Sequence, residues 1–271
     1  CILEIDQKII ENFSRDGAVV LRSAFAPEWI DKLRTGLKYN IDTPGPYTRS
    51  YTGDGGVGHF FGDYCNWQRI DEYEDFVRNS PISIYARTLM GTKQANFFHE
   101  HVVVKEPGTL EPTPWHHDQP YYCVDGDDSV SLWMPLDPVP KQWGVEFIAG
   151  SHKWGRWFRP KKFVGQDYDQ DDDGFEAMPD IEADRDQHKI VSFDLEPGDC
   201  VAFHFRTVHG APGNGLETTR RRAIAWRWVG DDDARYVLRK GVMSPPFPDM
   251  ENCRLSVGDK LDSDLFPAFL E

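Results

Sequence analysis

No apolar run in the chain approaches the roughly 18 residues that a membrane-spanning helix needs, so a spanning segment is not expected. Positive charge is the next shortage: 45 acidic residues stand against 30 basic ones, a formal net charge of −15. So acidic a surface repels phosphate backbones, which argues against nucleic acid as a partner. Cysteine is sparse and shows no paired spacing. Five cysteines (Cys1, Cys65, Cys123, Cys200, Cys253) lie scattered singly, which speaks against a disulfide framework and a structural zinc site alike. A reducing, cytoplasmic setting is the expectation. The first residues lack a basic-then-apolar leader pattern, and because the chain opens on Cys1 rather than Met, native residues are expected to precede it. Repeats at solenoid or propeller periods are also missing.

What is present is a globular composition. Hydrophobic residues make up 39% and aromatics 13% of 271 residues, enough for a sizeable core. "IDQKIIENFSRDG" (Ile5 to Gly17) reads as a short amphipathic helix stopped by glycine, followed by a strand, "AVVLR". "APEWIDKLRTGLKYN" places proline at a first helical position, and "DEYEDFVRNS" and "PISIYARTLMG" read as two further helices. The glycine-rich "YTGDGGVGHFFGDY" between them reads as a loop. After Gly91 the texture changes to short runs of Val, Phe, Trp and Ile between Pro/Gly/Asp turns: "NFFHEHVVVK", "SVSLWMPLD", "VEFIAG", "DCVAFHF", "RRRAIAWRW". Strands at this spacing suggest a β-sandwich or barrel. Gly165 to Gln187 form a long acidic insertion, either a solvated surface loop or a lid near a site.

The chemistry centres on "PTPWHHDQPYY" (Pro112 to Tyr122). On an extended strand His116 and Asp118, two residues apart, project to one face and His117 to the other. His-x-Asp is therefore a compact way to offer one imidazole and one carboxylate to a single ion, although so short a pattern also arises by chance. Four downstream histidines are candidates for a third ligand: His152, His188, His204 and His209. His209 has the best context, at the end of the apolar strand in "EPGDCVAFHFRTVHGAPGNG", where a Gly/Pro/Asn loop begins. Two histidines and a carboxylate make a facial triad, which leaves open positions on an octahedral Fe(II); structural zinc prefers four closed ligands.

These segments, with "SLWMPL", "GVEFIAGSHKWG" and "RRRAIAWRW" in the same order, resemble the phytanoyl-CoA dioxygenase family of Fe(II)/2-oxoglutarate oxygenases. The resemblance spans nearly the whole chain. It implies a mainly β fold, a double-stranded β-helix (jelly-roll, cupin-like) with N-terminal helices packed on one sheet. The chain then reads as one oxygenase domain: a helix-rich part over 1–91, a jelly-roll core over 92–230 with the acidic insertion 165–187, and a C-terminal extension over 231–271. Carried over residue by residue, the resemblance makes His116, Asp118 and His209 the iron ligands.

The resemblance also requires an anchor for the far carboxylate of 2-oxoglutarate, a role suited to arginine's planar fork. Similar proteins place it on the last barrel strand, where this chain offers Arg220, Arg221 and Arg222. With Arg221 inward, Ala223, Ala225 and Arg227 also face inward, and Arg222, Ile224, Trp226 and Trp228 face the helices. Small residues toward a cavity and large ones toward helices make physical sense, so strand parity favours Arg221. Loop spacing in the family favours Arg220, and both stay open here. Trp133 matches a tryptophan lining the cosubstrate pocket in similar proteins. Related sequences often have serine where this chain has Ala211. In "FHEHVVVK", His99, His101, Val103 and Lys105 share a face; His99 and His101 are candidates for substrate contact or for supporting the ligands, and Tyr121 for shaping the substrate mouth.

The implied activity is a dioxygenase that uses Fe(II), 2-oxoglutarate and O2 to hydroxylate an aliphatic C–H of a small or medium organic metabolite, releasing succinate and CO2. The carboxylate of Asp118 argues against halogenation, since halogenating relatives commonly replace it with a small residue. The expected partner is a small molecule, with no nucleic acid and no membrane. Two other readings stay open: a non-catalytic metal- or ligand-binding jelly-roll, and a 2-oxoglutarate-independent non-haem iron enzyme.

Overall fold

The computed structural model describes residues 2–51, 59–161, 174–239, 247 and 250–270. Its N-terminal part alternates helices with strands: α1 (Gln7–Asp16), β1 (Ala18–Leu21), α2 (Pro27–Asp42), β2 (Arg49–Ser50), β3 (Phe60–Tyr64), α3 (Asp71–Asn79) and α4 (Ile82–Met90). Local chemistry accounts for the helix ends. Asp6 caps α1 by accepting from the Ile9 amide at 2.8 Å, and Gly17 closes it at a left-handed φ of 72°. A Cβ at Gly17 would lie 2.4 Å from His152 Nδ1, so glycine also permits the close approach of that ring. Pro27 opens α2, where its missing N–H costs nothing.

The β-rich part follows with β4 (Gln94–Lys105), β5 (Thr113–His116), β6 (Val124–Asp125), β7 (Ser129–Pro135), β8 (Glu146–Ile148), β9 (Ile190–Val191), β10 (Cys200–Phe203), β11 (His209–Ala211), β12 (Arg221–Gly230), β13 (Arg235–Tyr236) and β14 (Ala268–Leu270). The large antiparallel sheet runs β1-β10-β7-β12-β4-β3-β2, with β14 paired to β4 as well. A smaller sheet runs β5-β11-β8-β9, and β13 pairs with β6. This is the mainly β, jelly-roll architecture with helices on one sheet that the resemblance implies. One local expectation is corrected: "FFGDY" is not loop but strand β3, because its backbone completes the edge of β4 from Phe60↔Lys105 to Tyr64↔His101. The remainder of that glycine-rich stretch, residues 52–58, and most of the acidic run, residues 162–173, lie outside the described residues.

Strand parity divides the large sheet into two faces. Ile224, Trp226 and Trp228 of β12 join Val102, Val104, Leu132 and Met134 in a core shared with Leu33, Tyr73, Phe76 and Tyr85 of the helices. Trp226 meets Tyr73 edge-on at 5.7 Å and lies 4.8 Å from Phe76. The opposite face carries Ala223 and Ala225, clustered with Trp133, Phe147, Val201 and Phe203. Small residues on that inner face leave room between the two sheets, and the site lies there.

Candidate active site

His116 stands at the end of β5 and His209 at the start of β11, and the two are directly paired across the small sheet. Pairing brings their rings to 4.3 Å between centroids. Asp118 joins them: its Oδ1 lies 3.4 Å from His116 Nε2 and 3.6 Å from His209 Nε2. One ligand atom from each of the three falls within 4.8 Å of the others, and they form the only such His/Cys/Asp/Glu group among the described residues. His152 and His204 point elsewhere, with Nε2 on the carbonyls of Ser14 (3.1 Å) and Asp127 (2.9 Å) respectively, and His188 packs near Trp154.

Asp118 does not reach this position along a continuous strand. The strand ends at His116, and Asp118 has helical angles (φ −79°, ψ −37°) at the entry to a 3-10 turn over Gln119–Tyr121. The Phe205 carbonyl accepts from both the Asp118 amide (2.8 Å) and the Gln119 amide (3.0 Å), and Pro120 supports the turn. That bifurcated contact ties the carboxylate's segment to the turn that leads, four residues on, to His209.

Each imidazole is set by its second nitrogen. His116 Nδ1 lies 2.7 Å from the Pro114 carbonyl and His209 Nδ1 lies 2.8 Å from the Thr207 carbonyl. A carbonyl only accepts, so both Nδ1 atoms carry the proton and both Nε2 lone pairs face Asp118, the arrangement found in metal-binding histidines. Burial, then His116, pushes His209 down to about 3, so it stays neutral and able to ligate. Burial pushes the Asp118 carboxyl up, but the buried Arg227 guanidinium beside it outweighs this and holds it well below the usual carboxylate range.

Arg227 lies on the inner face, as strand parity predicts, and meets the triad there. Its Nε and Nη2 reach Asp118 Oδ2 at 3.4 and 3.3 Å, in a pair with both side chains buried. One carboxylate oxygen is thereby occupied and the other left toward the imidazoles. Sequence alone could not find this contact, because 109 residues separate the partners. His99 and Ser131 lie opposite Arg227 on the two neighbouring strands. Both are buried, and His99 Nδ1 and Nε2, Arg227 Nη1 and Ser131 Oγ have no hydrogen-bond partner among the described residues. His101 is stacked on Tyr64 at 3.9 Å, and its pKa, like that of His99, is held well below the ordinary value, first by burial and then by Arg227.

At the other end of β12, Arg221 is buried, 4% exposed, and its guanidinium donates to the Trp143 carbonyl. Among the described residues no carboxylate is paired with it. Arg220 precedes the strand, is exposed, and pairs with Glu106 at 3.0 Å, so it points to solvent with its charge already balanced. Arg222 faces the helical side and pairs with Asp137 at 2.7 Å. Trp133 is buried on the inner face, opposite Ala225. Tyr121 does not point freely at the site: its hydroxyl donates to the Lys161 carbonyl (2.5 Å) and accepts from the Lys161 amide (2.7 Å). His117, turned away from the triad, accepts from the Phe158 amide at 2.9 Å. The side chains of His117 and Tyr121 thus hold the segment from Phe158 to Lys161 beside the triad.

A family model for phytanoyl-CoA dioxygenase (PhyH) matches residues 13–223, more than three quarters of the chain. The chain belongs to the phytanoyl-CoA dioxygenase family. This family member is 25% identical over 195 residues to a "Probable phytanoyl-CoA dioxygenase" of Caenorhabditis elegans, covering 66% of this chain and 54% of that protein. The chain thus spans about half the length of the curated relative it matches. Among solved structures, it is similar to the non-heme alpha ketoglutarate dependent carbocyclase SnoK from nogalamycin biosynthesis (TM-score 0.77, 23% identity, 97% of this chain and 96% of that one). It is also similar to the epimerase SnoN in complex with Fe3+, alpha ketoglutarate and nogalamycin RO (TM-score 0.72, 20% identity, 97% of each chain). At such identities the likeness is one of fold. No helix among the described residues of this family member is long and apolar enough to cross a membrane.

Proposed function

We propose that the chain is an Fe(II)- and 2-oxoglutarate-dependent dioxygenase that hydroxylates an aliphatic C–H of a small or medium organic metabolite. The observation that carries the reading is the pairing of two features on facing sheets. His116, Asp118 and His209 converge their ligand atoms within 4.8 Å on the small sheet and the turn after it, and a buried arginine with no carboxylate partner among the described residues, Arg221, stands on the large-sheet strand whose inner face packs against that small sheet. The donor set suits iron: two imidazoles and one ionised carboxylate, with no thiolate. The arginine suits an anion, because a buried guanidinium whose hydrogen bond goes to a backbone carbonyl retains its charge uncompensated.

In this reading His116, Asp118 and His209 hold the iron, Arg221 receives the far carboxylate of 2-oxoglutarate, and Trp133 and the small Ala223 and Ala225 wall the pocket. Bound there, the metal and cosubstrate supply the oxidising chemistry, with succinate and CO2 as co-products. Arg227 keeps Asp118 ionised and oriented, and the Pro114 and Thr207 carbonyls keep both imidazoles in the ligating tautomer. Phe147 and Phe203 pack His209 at 5.8 and 4.7 Å and exclude water from that side. The row of His99, Arg227 and Ser131, with its unpaired polar atoms, lies at the opposite end of β12 from Arg221 and forms the substrate's polar contact surface. The buried charge of Arg221, balanced by no carboxylate among the described residues, also favours this reading over a non-catalytic binding protein, which needs no such anchor.

Anaerobic titration of the Fe(II)-loaded protein with 2-oxoglutarate, followed by visible absorption, tests the proposal. A metal-to-ligand charge-transfer band is expected, and 2-oxoglutarate decarboxylation to succinate on admission of O2. Bound iron without the band would sink the assignment. The mass of a substrate's product then separates hydroxylation, a gain of one oxygen, from cyclisation or desaturation, a loss of two hydrogens.

A further inference from the structure

Arg221 is not alone. Its direct cross-strand partner on β4 is Lys105, fully buried, so two cationic side chains stand side by side on the inner face, at the short spacing of cross-strand neighbours. Among the described residues neither is paired with a carboxylate. Lys105 Nζ has three neutral partners, the Glu111 carbonyl (3.1 Å), the Thr113 hydroxyl (3.2 Å) and the Pro212 carbonyl (3.2 Å), and lies 4.5 Å above the Phe60 ring. Two of these partners can only accept. The hydroxyl can either donate or accept, so the same three contacts fit a neutral amine (two N–H donated, one hydrogen bond received) and an ammonium (three donated). Thr113 therefore lets the lysine change charge without moving.

We propose that Lys105 and Arg221 form a paired carboxylate receptor in which Lys105 takes up a proton from solvent as the anion binds. The proposal rests on the dioxygenase reading, which supplies the anion as the far carboxylate of 2-oxoglutarate. Two buried like charges in contact repel, and the one that can be discharged is the lysine. Burial, then Arg221, lowers Lys105 to about 6, against a smaller opposing pull from Glu111, whereas Arg221, lowered by burial to about 10, remains charged at neutral pH. The other nearby acid, Glu106, is engaged by Arg220 at the surface. A carboxylate on Arg221 removes the repulsion and favours the ammonium. The receptor also bears on Ala211, where similar proteins often carry serine: Thr113 is its direct partner across β5 and β11, and supplies a hydroxyl on that face.

The test is calorimetric titration of Mn(II)-loaded protein with 2-oxoglutarate at pH 7.5, in buffers of different ionisation enthalpy. Uptake approaching one proton per 2-oxoglutarate is expected, with affinity falling up to about tenfold per pH unit above that point. Lys105→Met should bind more weakly at pH 6 and show neither proton uptake nor pH dependence. Lys105→Arg, which keeps a permanent charge, should bind without uptake and with a flat pH profile, and guards against misreading a folding defect in the methionine variant. Wild-type binding with no proton uptake, or uptake that persists in both variants, overturns the proposal while leaving the dioxygenase reading intact. A metal-loaded wild type that does not bind 2-oxoglutarate at all overturns both.

Discussion

Replacing Arg227 by leucine should destabilise the metal-free protein far more than the metal-loaded one. In the metal-free chain Asp118 is 3% exposed and Arg227 is the cation paired with it. Removing one partner of a buried ion pair costs about 3–5 kcal/mol, because the remaining charge is left uncompensated. In a chain of this size each kcal/mol lowers the midpoint by about 2–4 °C, so the metal-free variant should melt on the order of 10 °C below wild type. When His116, Asp118 and His209 hold a divalent cation, that cation supplies the missing counter-charge, and less than half of the loss should remain. The cycle closes only if the folded variant binds metal about tenfold more tightly for each 1.4 kcal/mol so recovered. Thermal unfolding of both proteins in chelator and in saturating Mn(II) reads all four corners. Equal losses with and without metal would refute the reasoning, since Arg227 would then serve packing alone and Asp118 would not be a ligand.

Other consequences follow from the same geometry. Arg221→Ala should weaken 2-oxoglutarate binding by about 10²-fold or more, the scale of a buried charge-assisted pair, whereas Arg220→Ala should change it less than twofold, both read from the charge-transfer titration. His209→Ala should abolish stoichiometric Fe(II) binding with a folded circular dichroism spectrum, and equilibrium dialysis decides it. Trp226→Ala removes a fully buried ring from the helix-facing core and should cost about 3–5 kcal/mol in denaturant unfolding without altering metal affinity. Glu100 provides a pH signature: burial raises its carboxyl to about 8, against the opposing hydrogen bonds from the Asn66 and Trp67 amides. With the folded value above the unfolded one, its contribution is complete below the ordinary carboxylate range and is lost as pH rises through about 8, at up to about 1.4 kcal/mol per unit. Glu100→Gln, which cannot ionise, should therefore be near wild type at pH 5 and more stable by a few kcal/mol at pH 8.5. A difference that does not change with pH would show that Glu100 is not the titrating group.

Periodicity and local order in the chain determined a good deal. Helix caps at Asp6, Gly17 and Pro27 are near-neighbour effects, and the alternation of Arg221 to Trp228 sorts small from large side chains wherever a sheet meets helices on one side. The motif order was enough to recognise the family, and His-x-Asp with a distant strand-end histidine named a triad whose members lie together. Tertiary structure alone decided what depends on contacts between remote segments. Asp118 comes to the imidazoles through a 3-10 turn held by Phe205, not along the strand its spacing suggested, because a carbonyl nearly ninety residues away captures both its amide and the next. Arg220 and Arg221 are chemically identical neighbours, and only the onset of β12 turns one to solvent and the other inward. Arg227 on Asp118 joins a strand to a turn, and Lys105 beside Arg221 follows from the register of β4 with β12; in both pairs the partners lie over a hundred residues apart in sequence. Charge at those positions is set by burial and by each other, which no local pattern records.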